Sequence, residues 1–398
     1  MKNLLLISAG FPFGSSETFL ENELPIIAKH FEKVTILAIH NNDGTKRAIP
    51  ENCKVHQLSI VEDTKLKIKA LSLFNHPEVK REKKWIKEKY GEKVSLQHYK
   101  VMLMSLAKAK LIAKWIKNNI REEKQTVAYS YWGDDAAIAL ALLQRKHFFG
   151  KAICRAHRWD LYPNVHNFPY LPFRSLMVDH LDEIHSISDD GFVAIEKDWK
   201  CSTAKVVLSR LGVKKQVNVA QQSTRLLLSC ANLIPVKRVN LIIQALQHVS
   251  FPINWIHFGD GVEMEQLVKA AKSLPANVQV TWKGRVANQE VLSFYQAHHP
   301  TAFINVSSSE GVPVSIMEAF SFGIPVIATD VGGNGEIVNN ENGILLAAHP
   351  SEKEVAQAIT YVFEASEADY AKKSKAAFDT WEKDYNAQKN YEGFVKEL

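Results

Sequence analysis

The sequence predicts an α/β protein built as two parallel-sheet domains, and three observations predict it. Short apolar, β-branched runs alternate with helix-length amphipathic stretches almost throughout, the pattern of repeated strand–helix–strand units. The chain has 398 residues, long for one hydrophobic core and comfortable for two. Near residues 206–222, in the text VVLSRLGVKKQVNVAQQ, periodicity fades and the composition turns polar, which marks a junction between the halves.

Each predicted element follows from these patterns. In the first half the expected strands are Leu4–Ala9, Val34–His40, Val127–Tyr131, Ala152–His157 and Glu183–Ser188. In the second they are Leu226–Ala231, Trp255–Gly259, Val278–Trp282, Ala302–Val306, Pro325–Thr329 and Gly343–Leu346. Helices such as Val239–His248, Val262–Ser273, Asn288–His298 and Glu352–Ala365 lie between and after them. The expected domains are 1–210 and 211–380, both Rossmann-like. The stretch 381–398 is expected to be a helix crossing back onto the first.

Composition narrows the class. Hydrophobic residues at 46% and charged residues at 23% suit a soluble globular protein, and no apolar run reaches the ~18–20 residues of a membrane span. The start, MKNLLLISAGFPFG, reads as a buried strand: glycines and an acidic helix-like segment follow it, not a small-residue cleavage site. Cys53, Cys154, Cys201 and Cys230 show no metal-ligand spacing. They read as reduced, buried thiols in a cytoplasmic protein.

Charge is uneven. Residues 64–124 hold 17 Lys and Arg against 6 Asp and Glu, a net +11, while the whole chain carries +6. That asymmetry points to a phosphate-rich or anionic-lipid partner on one face, and no nucleic-acid partner is expected. Within 98–121, Met102, Leu106, Ala109, Ala113, Ile116 and Ile120 share a helical face, and Lys110, Lys114, Lys117 and Arg121 share another. This is either a domain helix with a solvated basic face or a surface that leans on anionic lipid at the inner face of a membrane.

The chemistry concentrates in FINVSSSEGVPVSIMEAFSFGIPVIATDVGGNGEIV, residues 303–338. A strand ends at Val306 in a Ser-rich loop. Pro313 suits the first position of a helix, Ser315 to Phe322 continue it and Gly323 caps it. The helix start leaves amides around Gly311, Val312 and Val314 free for an anion. A loop after a parallel strand is where open α/β sheets bind ligands. Glu310 precedes the helix and Glu318 lies one turn inside it. Each carboxylate can accept two hydroxyls at once, as a ribose diol or a sugar requires.

Glu310 and Glu318, embedded in SSSEGVPVSIMEAFSFGIPVIATDVGG, resemble the EX7E motif of retaining glycosyltransferases of family 4, of the bacterial polysaccharide-biosynthesis type. The resemblance implies the GT-B fold, two Rossmann-like domains whose parallel sheets face each other across a cleft. It implies that Glu318 holds the ribose hydroxyls of a nucleotide diphosphate sugar. Glu310 contacts the transferred sugar, and Gly311, Val312, Pro313 and Val314 line the sugar and diphosphate.

Further positions follow the same resemblance. SCANLIPVKRVN, residues 229–240, is similar to the family's diphosphate-binding segment, with Lys237 on its Lys position and Asn232 where many members have Arg. Gly259-Asp260-Gly261 resembles a packing turn. The loop WKGRV, 282–286, meets the nucleobase in the family, so Arg285 and Val286 are donor-binding candidates. The loop after the first strand, GFPFGSSET, places Gly14, Ser15 and Ser16 beside an acceptor hydroxyl or a phosphate. Arg155-Ala156-His157-Arg158-Trp159-Asp160 resembles the family's RAHGWD-like stretch. His157 would serve the sugar, and Asp160 is a further acceptor-side candidate.

The activity so implied is retaining transfer of a sugar from a UDP- or GDP-sugar to a saccharide or lipid-linked hydroxyl in envelope, capsular or exopolysaccharide synthesis. Neither metal nor cofactor is expected beyond the nucleotide-sugar co-substrate, because Lys237 and a helix N-terminus can stabilise the leaving diphosphate. A nucleotide-sugar epimerase of the same architecture and a non-enzymatic carbohydrate-binding protein are the alternatives.

Overall fold

The computed structural model describes residues 2–14, 17–40, 44–91, 93–121, 123–202, 205–216 and 225–398. The chain divides into two compact units. One comprises Met1–Leu211 with Tyr391–Leu398, the other Gly212–Asn390.

The first unit is built on strands β1 (Asn3–Ser8), β2 (Lys33–Ala38), β3 (Cys53–Gln57), β4 (Thr126–Ser130), β5 (Lys151–Ala156), β6 (Glu183–Ser186) and β7 (Val206–Leu208). They form one sheet in the order β3-β2-β1-β4-β5-β6-β7, and every pair is parallel. β1 reads NLLLIS and is buried over most of its length, as expected of a strand with helices on both faces. The order reverses between β1 and β4, so the loops after these two strands flank a switch point. The sequence gives no strong signal for β3 or β7. β3, at the sheet edge, is only partly buried and alternates without a continuous apolar run. β7 is short and lies inside the polar junction text.

The apolar face of the helix Leu96–Asn119 belongs to the core of the first unit. Met102, Leu106, Ala109, Ala113 and Ile116 pack into the first core with Ile112. Large apolar groups reach solvent instead around an earlier helix, Thr64–Ser72, at Val61, Ile68, Leu71 and Phe74.

The second unit holds β8 (Leu226–Cys230), β9 (Ile253–Phe258), β10 (Val278–Trp282), β11 (Ala302–Asn305), β12 (Val326–Thr329) and β13 (Gly343–Leu346). Its sheet order is β10-β9-β8-β11-β12-β13, again all parallel. Leu227, Ile242, Trp255, Ile304, Ile327 and Ile359 belong to its core. Its switch point lies between β8 and β11. Each unit is thus a parallel-sheet α/β domain of the kind the resemblance implied.

The chain's end departs in detail from the single helix drawn at 381–398. Trp381 lies in the last turn of the helix Glu367–Asp384, and a separate helix, Ala387–Glu397, follows a break at Tyr385–Asn386. Asn386 supplies the break by accepting from the Gln388 amide at 3.0 Å, a side chain competing for backbone as Asn does at helix starts. All four cysteines are free; Cys154 and Cys201 are buried, whereas Cys53 and Cys230 are partly exposed.

Candidate functional site

The second unit brings Lys237 and Glu310 together at its switch point. Lys237 ends a short turn, Pro235–Lys237, after β8, and Glu310 stands on the loop after β11. Lys237 Nζ lies 2.6 Å from Glu310 Oε1. The same oxygen accepts from Ser307 Oγ at 2.6 Å and from Asn305 Nδ2 at 3.1 Å. Sequence reasoning missed Asn305 and Ser307; the cluster of polar residues directly after an apolar strand was their only signal.

The loop is pinned from several sides. Arg238, in the left-handed region with φ 48°, turns away from Lys237. Its Nε donates to Val306 O at 2.6 Å, and its Nη2 donates to Ser307 O at 2.8 Å and Ala348 O at 2.9 Å. It therefore supports the strand end and does not stand in for Asn232 as a second cation. The Ser308 amide donates to Val236 O at 2.8 Å, and the Gly333 amide to Gly311 O at 2.9 Å. A Cβ on Gly332 would fall 2.0 Å from Glu310 O. Only glycine permits that approach at φ 53°.

The helix after this loop spans Val314–Ser321, with Pro313 at its N-cap, one position earlier than expected. Pro313 is extended, with ψ 125°, and no side chain caps the helix. The amides of Gly311, Val312, Val314 and Ser315 find no acceptor among the described residues. They converge with the helix dipole as a positive surface beside Glu310.

Glu318 lies one turn inside the helix and is only 6% exposed. Its Oε1 accepts from Asn288 Nδ2 at 2.7 Å. Burial raises its pKa to about 7, opposed by the Asn288 hydrogen bond. Cys230, at the end of β8, feels that carboxylate after burial itself, and its thiol is pushed up to about 12. The Tyr295 hydroxyl is buried without a partner. Asn288 and Tyr295 belong to the helix Asn288–His298, so one helix contributes two polar groups that sequence reasoning did not single out.

The remaining candidates of this unit are less constrained. Asn232 and Arg285 are exposed, and Val286 is half-buried. Gly259 and Gly261 are packing glycines: a Cβ on Gly259 would meet Ala231 O at 1.8 Å, and one on Gly261 would meet Leu233 O at 2.3 Å. Beneath them His257 bonds Ser229 Oγ at 2.8 Å and Ala231 O at 3.1 Å. Burial lowers its pKa to about 4, so it is neutral and structural.

In the first unit, His157 follows β5 and is 6% exposed. Neither ring nitrogen has a hydrogen-bond partner. Its ring packs against Trp132 at 4.5 Å and Tyr131 at 4.8 Å between centroids. Burial, then the Arg155 charge, holds its pKa well below the usual imidazole range. A neutral imidazole can donate through one nitrogen and accept through the other.

Asp160 is buried and held by its neighbours. Its carboxylate accepts the amides of His157 and Gly133, and Arg174 donates to its backbone oxygen. It caps the short helix Arg158–Leu161. The loop after β1 is filled from within the chain. Glu17, which sequence reasoning quoted without a role, fills it by accepting from the Ala9 amide at 2.8 Å and from the Gly10 and Phe11 amides at 2.7 Å. Those amides are therefore taken by the chain's own carboxylate. Gly14 turns the loop at φ 67°; Ser15 and Ser16 lie outside the described residues.

Residues 213–378 match the family described as glycosyl transferases group 1. That match covers most of the second unit. Curated relatives include the GtfA subunit of UDP-N-acetylglucosamine–peptide N-acetylglucosaminyltransferase from Streptococcus parasanguinis, 26% identical over 56% of this chain and 44% of that protein. Another is D-inositol 3-phosphate glycosyltransferase from Rhodococcus erythropolis, 38% identical over 22% of this chain and 19% of that protein. The chain thus spans less than half the length of these relatives. Two solved structures share the fold, both with a TM-score of 0.69. Anabaena HepE in complex with UDP is 15% identical, covering 100% of this chain and 99% of that one. The apo lipopolysaccharide outer core galactosyltransferase WaaB is 17% identical, covering 100% of both chains. The matched residues contain the Lys237–Glu310 pair, the unpaired amides and Glu318.

Proposed function

We propose that this chain is a retaining, metal-independent glycosyltransferase that moves a sugar from a UDP- or GDP-sugar to a hydroxyl of a saccharide or lipid-linked acceptor. One observation carries the reading. At the switch point of the second unit, Lys237 and Glu310 on adjacent loops stand beside unpaired helix-start amides and Glu318 one turn into that helix. Those groups match, one by one, what a nucleotide diphosphate sugar offers.

The chemistry follows from the charges. When the bond between the anomeric carbon and the diphosphate oxygen breaks, negative charge grows on the diphosphate and positive charge on the sugar ring. Lys237 and the amides of Gly311, Val312 and Val314 would stabilise the first. Glu318 would accept the two ribose hydroxyls, and Glu310 would hold the transferred sugar. In retaining transfer the acceptor oxygen attacks on the face the diphosphate leaves, and its proton passes to the departing phosphate oxygen. In the first unit, the two unpartnered ring nitrogens of His157 suit a saccharide hydroxyl.

We assign the activity to the cytoplasm, at the inner membrane face, in envelope, capsular or exopolysaccharide synthesis. The basic segment 64–124 supports this. No helix among the described residues is long and apolar enough to cross a membrane. A thermal-shift screen with UDP, GDP, ADP and their sugars tests the donor, because a ligand of the folded state raises its melting temperature. Stabilisation by one nucleotide and its sugar, lost in Lys237→Ala, is the expected result. No response to any of them overturns the reading. Incubation with donor alone tests turnover: an isomeric nucleotide sugar as product would replace transfer by epimerisation.

A further inference from the structure

At the switch point of the first unit the loops after β1 and β4 meet on one side chain, Glu17. Three consecutive amides, those of Ala9, Gly10 and Phe11, donate to its carboxylate. The indole Nε1 of Trp132, just beyond β4, donates to its Oε1 at 2.7 Å. Glu17 is 7% exposed, and it reaches this position with φ 55°, a left-handed conformation that costs a non-glycine residue energy. Four donors converging on one buried carboxylate from a strained backbone form an anion nest whose occupant is part of the chain.

The consequence runs through Trp132. Its ring lies 4.5 Å from that of His157 at an angle of 46°, and Tyr131 closes the other side of the imidazole at 4.8 Å. His157 has no hydrogen bond through its ring to fix it; packing alone sets its orientation. The Trp132 indole is in turn oriented by its bond to Glu17. The loops after β1, β4 and β5, three adjacent strands, are thereby tied in one chain of contacts.

We propose that Glu17 is a positioning residue: as a built-in anion it closes the β1 loop nest, locks Trp132 and through it sets the imidazole of His157 for an acceptor hydroxyl. The nest is consequently closed to a phosphate of the acceptor, and the first unit presents an uncharged hydroxyl-bearing group to the reaction. This rests on the glycosyltransferase reading for what His157 does, but not for how it is held.

The test uses the full chain with isotope-labelled histidine, the His157 ring signal being assigned by its loss in His157→Gln. In Glu17→Ala the signal is expected to shift. With the donor found by thermal shift, kcat falls roughly tenfold or more, while KM for the donor, bound in the second unit, stays. Added formate should enter the vacated nest and restore both the ring signal and kcat, and chloride should do so less. A folded Glu17→Ala protein with an unmoved His157 signal overturns the proposal. So does a shifted signal that formate cannot restore. Should Glu17→Ala fail to fold, Glu17→Asp keeps the charge but not the reach, and a folded protein with the parent ring signal overturns the proposal equally. If no nucleotide sugar is turned over by the parent, the glycosyltransferase reading falls, and the ring signal still decides the clasp.

Discussion

Lys237 Nζ sits 2.6 Å from Glu310 Oε1, so the residue proposed to meet the diphosphate is held, before any ligand binds, by the residue proposed to meet the sugar. The pair is preorganised: Asn305 and Ser307 fix the carboxylate, which fixes the ammonium. Lys237→Ala removes the cation and is expected to lower kcat by about 10²–10³-fold, while the fold persists. Glu310→Gln keeps shape and loses charge, and most transfer should go with it. Steady-state transfer assays measure both. A Lys237→Ala enzyme turning over at the parent rate would sink the donor site.

Glu318 predicts a pH dependence with a definite sign. Burial raises its pKa from 4.5 to about 7, so between those values the folded chain holds a proton that the unfolded chain has lost. Stability contributed by this group therefore falls as pH rises from about 4.5 to about 7 and is level above. The span amounts to at most about 3 kcal/mol. Glu318→Gln should flatten that slope in urea titrations between pH 5 and 8 and be the more stable protein at pH 8. The same substitution should weaken nucleotide binding, because a ribose diol donates best to an ionised carboxylate. In the parent, affinity should rise with pH up to about 7.

Sequence alone carried the sheet units, because buried parallel strands write continuous apolar runs such as LLLIS and AFINV. It also placed Lys237 and Glu310 on loops, and Glu318 one turn into a helix, at one switch point of the fold. What it could not carry is pairing among polar side chains. Nothing in the spacing says that Glu17 turns back into the β1 loop, because that depends on one residue's left-handed φ. Nothing says that Asp160 spends its carboxylate on the amides of Gly133 and His157. Nor does the text show Asn288 meeting Glu318 from a helix thirty residues earlier. The edge strand β3 lacks the double-sided burial that makes its neighbours legible.

Gly332 tests how tightly the Glu310 loop is held. At φ 53° its Cα faces Glu310 O so closely that an added Cβ would lie 2.0 Å away. Gly332→Ala must move either backbone, with a loss of roughly 1–3 kcal/mol from strain. Because the displaced atom belongs to Glu310, activity should fall more than the stability loss explains. Melting temperature and kcat measured together check this; parent kcat would show that the loop tolerates the shift.

The helix Thr64–Ser72 predicts where the protein meets lipid. Ile68 is 63% and Leu71 68% exposed, with Phe74 at 50% just beyond. Lys65 and Lys67 stand exposed among them. Lys69 has its pKa lowered by burial and then by Lys114 and Lys110, so the helix Leu96–Asn119 adds positive charge nearby. Outward apolar groups ringed by lysines match an interfacial helix on an anionic bilayer. The protein should sediment with phosphatidylglycerol-containing vesicles and not with phosphatidylcholine alone. The double substitution Ile68→Asp and Leu71→Asp should abolish sedimentation while leaving nucleotide binding unchanged. Equal sedimentation with both vesicles, or with neither, would refute it.

The deepest ion pair of the first unit makes the last prediction. Arg155 Nη1 lies 2.5 Å from Glu23 Oε2, and both side chains are fully buried. The Tyr129 hydroxyl donates to Glu23 at 3.0 Å, and Phe394 stacks under the guanidinium at 4.4 Å. Phe394 comes from the end of the chain, so this pair helps bind the closing helix to β4 and β5. Glu23→Ala leaves the guanidinium buried without its counter-charge, and such a change costs about 3–5 kcal/mol. Arg155→Met with Glu23→Leu removes both charges and should recover most of that loss, since the desolvation of each charge disappears with the pair. Urea denaturation of the two variants measures the difference. If the double variant were no more stable than Glu23→Ala, the cost would lie in lost packing around Phe394 and not in the stranded charge.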